Sequence, residues 1–325
     1  MDKVARLSPE ERSELFSQTA ANRGMTPAIV EKDFWVSWVL KGLYQHEELS
    51  RLLMFKGGTS LSKAYQLIER FSEDIDLILD WRGLSDEDPL AARSNTQQQK
   101  LNAAINEKAE VFINDRLLAL VTEVLDDVCN SHVENENPHV INIQYPAAYP
   151  DEYLRSEVRL EIGPLAAWDP FEEKEISCYA AEEFPQVFNQ THCAIKVVRA
   201  ERTFWDKATI LHHEVHRPET SPQPSRYSRH YYDLAKLAGS PIKESALANI
   251  ALLENVVEFK QRFYPRGWAN YALAKPGSFR LVPVGHVLNS VRTDYVEMEN
   301  MIFGEVPSLD SILDTLKNLE DEINT

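Results

Sequence analysis

Two aspartates one residue apart, Asp74 and Asp76, lie in the run DIDLIL (74–79), whose alternation reads as a strand. Side chains at i and i+2 of a strand point to one face, so both carboxylates address the same spot. Like charges that close raise each other's pKa unless a hard cation neutralises them, and carboxylate oxygens are ligands that Mg²⁺ prefers. Just upstream, the apolar run LLMFK (52–56) stops at Gly57-Gly58, and Thr59 and Ser60 open a stretch of helical spacing. A diglycine between strand and helix leaves backbone N–H groups at the positive helix end, a setting that suits phosphate. Either half alone is ordinary, a solvated strand end or a turn. Joined across one helix, they describe a place where a cation and a phosphate meet.

These residues need elements to hold them. Ser8, Pro9 and Glu11 make a capping box for a helix over 8–20, and Thr26-Pro27 repeats the start signal. Behind it Ile29, Val30, Phe34, Trp35, Trp38, Val39 and Leu40 recur at helical spacing over 27–44. TSLSKAYQLIERF carries that spacing on to residue 71, so 52–79 reads as strand, turn, helix, strand. Residues 98–129 read as one long helix or two, and VINIQY (140–145) and EVRLEIG (157–163) as strands stopped by Pro146 and Gly163-Pro164. Helical spacing returns over 199–216, 228–238, 243–263 and 308–322, with proline-rich breaks at 218–224 and 276–284. The expected class is α+β: a mixed-sheet lobe with N-terminal helices over 1–195, packed on a helical lobe over 196–325.

Composition removes several function classes. The 325 residues are 43% hydrophobic and 26% charged, as in folded chains. Acidic residues outnumber basic ones 51 to 34, and the net charge of −17 repels phosphate backbones and anionic membranes. Contact with nucleic acid therefore needs a local basic patch, for which Arg199, Arg202, Lys207, Arg226 and Arg229 are the candidates. Cys129, Cys178 and Cys193 are odd in number and in no metal spacing, which points to a reducing, cytoplasmic compartment. MDKVARLSPEERSELF lacks an apolar signal core, and no apolar run approaches the roughly 18 residues of a membrane span. LHHEVHR (211–217) has Arg217 where HExxH requires histidine, so it reads as a polar helix face rather than a zinc site. KGGTSLSK lacks Walker spacing, no G-x-S-x-G elbow occurs, and no cysteine lies in an electropositive setting, so ATPase and covalent mechanisms have no support.

G-G-T-S followed across one helix by D-I-D is the signature of the polymerase-β-like nucleotidyltransferase fold, and FKGGTSLSKAYQLIERFSEDIDLIL (55–79) resembles the AbiEii/AbiGii toxin family. T-P-x-x-V-E-K-D-F (26–34), R-T-F-W-D-K (202–207), Y-Y-D-L (231–234) and D-Y-V-E-M (294–298) follow in the order of that family. The resemblance implies a polymerase-β-like lobe and a Mg²⁺-dependent nucleotidyltransferase that is the toxin of a bacterial toxin–antitoxin or phage-defence pair. Relatives add nucleotides to the acceptor end of tRNA, and the antitoxin is a separate protein. It implies Asp74 and Asp76 as the pair that binds two Mg²⁺ ions, and Gly57, Gly58, Thr59 and Ser60 as the loop beside the phosphates of the NTP. It makes Lys207 a triphosphate contact, with Arg202 about a turn away, and Asp233 a further acidic active-site residue, both supplied by the helical lobe. Such folds complete the metal site with a third acid on a neighbouring strand. Glu161 is the candidate, its period placing it on one face with Arg159, Glu157 and Gly163, and Asp233 is the alternative. Periodicity also gives Lys207 a helix face with Arg199 and Thr203, and reads Tyr231 and Tyr232 as packing residues.

The expected reaction is two-metal nucleotidyl transfer from an NTP to an RNA hydroxyl. Its rivals are phosphoryl transfer onto protein from the same pocket, a metal-dependent nuclease, and a catalytically silent protein-binding module. Release of pyrophosphate, dependence on NTP and binding of Mg²⁺ with NTP separate the four.

Overall fold

The start signals work as written. Ser8 Oγ accepts the Glu11 N–H at 3.2 Å, Glu11 Oε2 accepts the Ser8 N–H at 3.0 Å, and the helix they open, Pro9–Arg23, ends at Gly24 in the left-handed region. Thr26 caps the next helix, Pro27–Gln45. The computed structural model describes residues 1–72, 74–149 and 156–325. The chain divides into two compact units. The first is Met1–Ala64, Ser72–Arg93 and Gln99–Val198; the second is Tyr65–Phe71, Ser94–Gln98 and Arg199–Thr325.

In the first unit the described residues form one seven-stranded sheet. Its strands are β1 (Leu53–Lys56), β2 (Asp74–Leu79), β3 (Asn130–Val133), β4 (Val140–Gln144), β5 (Glu157–Gly163), β6 (Phe171–Ser177) and β7 (His192–Val198). They lie in the order β3-β4-β5-β2-β1-β7-β6. β2 runs antiparallel to β1 and parallel to β5, β1 runs parallel to β7, and the outer pairs are antiparallel. The sheet is thus mixed, and with the many helices the class is α+β. Ile75, Leu77 and Leu79 of β2, Phe55 of β1 and Leu160 and Ile162 of β5 are buried on one face, each contributing about 1.5–3 kcal/mol by leaving water. The opposite face near the start of β2 is left to half-exposed polar residues. Helix Pro27–Gln45 packs beside β5 and β7, and its Trp35 stacks on Tyr145 with ring centroids 5.4 Å apart.

Three strands lacked a reading in the sequence. β3 and β6 are edge strands, and their polar, charged compositions are what exposed edges carry. β7 alternates buried Cys193, Ile195 and Val197 with more exposed neighbours, a signal that was present in HCAIKVV. The run 98–129 is a helix Asn95–Phe112 that passes through a π-turn, Ile113–Leu117, into Leu118–Leu125.

One expected element is shorter than its spacing suggests. The helix after the diglycine is Gly57–Lys63, and the helical pattern up to residue 71 does not continue. Backbone pairing within the second unit overrides it: the Phe71 N–H donates to Met301 O and the Phe303 N–H to Glu69 O, both at 2.7 Å, around an antiparallel bridge between Arg70 and Ile302. The second unit is otherwise helical, with Ala200–Val215, Ser228–Ala238, Ile242–Leu247, Ile250–Phe263, Gly285–Glu299 and Leu309–Asn324. The expected run 243–263 breaks where Asn249 accepts the Leu252 N–H at 3.2 Å and starts a new helix. No helix among the described residues is long and apolar enough to cross a membrane.

Candidate functional site

β2 is built so that its polar and apolar residues part. Asp74 and Asp76 are half-buried while Ile75 and Leu77 are fully buried, the alternation of a strand with one wet face. Register then adds the neighbours: Asp74 lies opposite Arg159 and Asp76 opposite Glu161 on β5, and Asp76 lies opposite Lys56 on β1. Glu161, expected as the third acid, is therefore directly beside Asp76.

Gly57 explains why the loop must be glycine. Its φ is +80°, where an L side chain is strained, and a Cβ there would come within 1.9 Å of Asp76 Oδ2. The missing side chain is the room in which the Asp76 carboxylate sits. Gly58 follows as the second helical residue. Thr59 and Ser60 are buried, and their hydroxyls point into the turn: Ser60 Oγ donates to Gly57 O at 2.8 Å, while Thr59 Oγ1 lies 2.8 Å from Ser72 Oγ and bonds the Asp74 carbonyl. The Thr59 hydroxyl braces the loop against β2 and the Ser60 hydroxyl closes on the loop's own backbone, so what the loop offers a phosphate is backbone. At the other end of the short helix, Lys63 Nζ meets Asp33 Oδ1 at 2.6 Å, and Asp33 Oδ2 accepts the Tyr179 N–H at 2.8 Å. Burial pushes the Asp33 carboxyl up, and Lys63 opposes that shift. The preceding residues of the same motif are also committed: Glu31 accepts the N–H groups of Ala148 and Tyr149, and Lys32 donates to Glu157 O.

Arg159 stands among the acids. Its Nη1 and Nη2 reach the two oxygens of Glu134 at 3.1 and 3.2 Å, while Nε is 3.6 Å from Asp74 Oδ1 and Nη2 is 3.8 Å from Glu161 Oε1. Burial would weaken its hold on the proton, but Glu134, Asp74 and Glu161 more than reverse this. Among the described residues no three His, Cys, Asp or Glu side chains are gathered closely enough to hold a metal ion. The donor set still suits Mg²⁺, which binds through one or two carboxylates together with substrate phosphates. Asp74 and Asp76 share a face, and the Gly57 cradle gives Asp76 space.

Lys207 and Asp233 come together within the second unit. Lys207 Nζ is 2.7 Å from Asp233 Oδ2, and Arg70 grips the same carboxylate with Nε and Nη2 at 2.7 and 2.8 Å. Asp233 is fully buried. Burial alone would raise its pKa, but Arg70 and Lys207 hold it well below the usual carboxylate range. Burial lowers the Lys207 pKa, with Asp233 opposing, and burial beside Lys207 keeps His230 neutral. Both Asp233 oxygens are thus taken by cations. Asp294 of D-Y-V-E-M accepts the N–H groups of Arg226 and Ser228 and so caps the helix that carries Asp233.

Several expectations need correction. Arg202 and Lys207 are 4% and 5% exposed, so they do not belong to a surface patch. Arg202 lies over the Phe259 ring, 5.7 Å from its centroid, Arg199 pairs with Glu201 at 2.8 Å, and Lys207 is buried against Asp233. LHHEVHR is a polar helix face, but a buried one. Glu214 is buried and bound by Arg217 at 2.6 and 2.7 Å and by His213 at 2.8 Å, which overcome its burial and take it down to about 2. His212 accepts from the Arg280 N–H and donates to Asn270 O, and burial lowers it to about 4. Tyr231 and Tyr232 are buried, as packing residues are. All three cysteines are buried, with burial raising Cys129 and Cys178 to about 12 and Cys193 to about 11.

Arg70, Glu134 and Arg159 were not foreseen as site residues. Arg159 had a signal, since its period puts it on the Glu161 face. Arg70 had none, because its partner is 163 positions away.

A search of curated proteins returns no match. Among solved structures, the chain is similar to MenT4, a nucleotidyltransferase toxin from Mycobacterium tuberculosis, with 14% identity over 96% of this chain and 88% of that one and a TM-score of 0.47. The model of the family described as nucleotidyl transferase AbiEii toxin of type IV toxin–antitoxin systems matches residues 38–315, and the chain belongs to that family.

Proposed function

We propose that the protein transfers a nucleotide from an NTP to an RNA hydroxyl, with tRNA as the acceptor, in a Mg²⁺-dependent reaction at Asp74 and Asp76. The observation that carries this reading is the Asp76 carboxylate seated in the space left by Gly57, beside Asp74 on the same strand face. Asp74 and Asp76 bind the metal, and Glu161 stands in register to join them. Mg²⁺ held there supplies activation of the attacking hydroxyl and neutralisation of the leaving pyrophosphate. The backbone of Gly57 and Gly58 receives phosphate oxygens. Asp233 acts as the counter-ion that keeps Lys207 and Arg70 charged and placed. The type IV family also implies an antitoxin partner encoded apart from this chain, and a role in phage defence fits such a pair.

The test is incubation with each labelled NTP, Mg²⁺ and total bacterial tRNA. Label should enter tRNA with release of pyrophosphate, and Asp76→Ala should abolish transfer. Full activity of Asp76→Ala would remove the site, and release of nucleoside diphosphate with label on protein would replace the reading by phosphoryl transfer.

A further inference from the structure

We propose that the segment 264–280 is a contact surface for single-stranded RNA, on which Arg266, backed by Trp268, receives an unpaired base and Lys275 a phosphate. This rests on the reading of RNA as the acceptor. In a chain with 51 acidic residues, none lies between Glu258 and Asp294, whereas Lys260, Arg262, Arg266, Lys275, Arg280 and Arg292 do. Four of these cations are engaged. Lys260 is buried and donates to Asp206 O at 2.7 Å, Arg262 pairs with Glu258 at 2.8 Å, Arg292 pairs with Asp310 at 2.9 Å, and Arg280 comes within 3.9 Å of Glu320. Arg266 and Lys275 are exposed, and among the described residues no carboxylate pairs with either. An acid-free segment with two unneutralised cations offers a phosphate locally what a net charge of −17 denies it at long range.

Charge alone would suit any anion, and the aromatic backing is what selects an unpaired base. Arg266 lies over the half-buried Trp268, its guanidinium carbon 5.6 Å from the ring centroid. The buried Arg217 lies 4.8 Å from the same ring, and the His213 ring meets it nearly perpendicular, with centroids 5.4 Å apart. Tyr271 bonds His213 at 3.2 Å, and His212 bonds Asn270 O and the Arg280 N–H at 3.2 and 3.1 Å. The run LHHEVHR, which no step of the proposed reaction uses, thus pins the segment from below. A guanidinium held on an indole loses little freedom when a base stacks on it, and unpaired bases stack on arginine planes and aromatic rings. Arg217 also lies 6.0 Å from the Tyr227 ring, so the surface continues toward the exposed Arg226 beside it in the chain.

Fluorescence anisotropy on the full chain tests this, with a labelled single-stranded oligoribonucleotide, an abasic copy of it, its duplex and total tRNA as probes. Wild type should bind the single strand more tightly than the abasic copy or the duplex. Arg266→Ala combined with Lys275→Ala should weaken that binding about tenfold and make the plot of log affinity against log salt shallower by about 1.4, the share of two phosphate contacts on a single strand. Arg266→Lys, which keeps the charge and loses the plane, should keep the salt slope yet bind the single strand about fivefold more weakly, close to the abasic copy. It also serves if the double variant does not fold. Wild-type affinity in the double variant, or in Arg266→Lys where only that variant folds, would overturn the proposal and leave the surface to a protein partner. Undiminished preference for the base-bearing strand in Arg266→Lys would overturn the stacked base, and tight binding of the duplex or tRNA without the single strand would overturn the class of RNA. These results sink this inference alone. If wild type binds none of the probes, the RNA reading falls and takes the inference with it.

Discussion

Gly57 shows how one residue joins the two halves of the site. Its positive φ alone would cost an alanine about 1–2 kcal/mol, a loss a protein often survives. The contact with Asp76 is the sharper constraint, because a Cβ at 1.9 Å from Oδ2 forces the carboxylate to move. A catalytic group displaced by about 1 Å loses about a hundredfold in rate. Gly57→Ala should therefore fold, with a near-native circular dichroism spectrum, yet incorporate labelled nucleotide about a hundredfold more slowly. Incorporation within a factor of two of wild type would separate the diglycine from the acids.

The Arg70–Asp233–Lys207 cluster ties three elements of the second unit: the segment Tyr65–Phe71, the helix Ala200–Val215 and the helix Ser228–Ala238. Removing the anion leaves two buried cations without compensation, a change that costs about 3–5 kcal/mol. Urea denaturation at neutral pH should show a loss of that size for Asp233→Asn. The pH dependence has a definite sign. A carboxyl held below its unfolded value stabilises fully above the usual range near 4 and loses that contribution as pH falls through its folded value. The deficit of Asp233→Asn should therefore be present at neutral pH and shrink in strong acid. A deficit under about 1 kcal/mol would mean that Arg70 and Lys207 find other partners. The same cluster accounts for the shortened helix after Lys63, since Arg70 is held where backbone pairing with Met301 and Phe303 replaces helical bonds.

A molecule of net charge −17 gains nothing from its overall field in approaching RNA. With Arg202 and Lys207 buried, the proposed patch reduces to Arg199, Arg226 and Arg229, of which Arg199 already pairs with Glu201. Replacing Arg226 and Arg229 together by alanine should weaken binding of tRNA and make the plot of log affinity against log salt shallower by about 1 to 2. Binding of NTP should be unchanged. Equal salt slopes for the two proteins would place the acceptor elsewhere.

The strand DIDLIL, the diglycine, the capped helices and the family could be read from residues alone, because each rests on local chemistry: a period of two, a φ only glycine accepts, a hydroxyl three residues before an N–H. Family membership follows from the same blocks, which lie in order along the chain. Glu161 was within reach too, since a strand's period orders its side chains before any partner is known. What escaped the sequence depends on separation along the chain. Which strand lies beside β2, and hence that Asp76 faces Glu161 and Asp74 faces Arg159, is a matter of sheet order. That Lys207 is buried against Asp233 rather than exposed on a basic face depends on Arg70, an arginine from a segment whose spacing reads as helix. Periodicity tells which face of an element is wet only when one partner covers it, and long-range ion pairs carry no period at all.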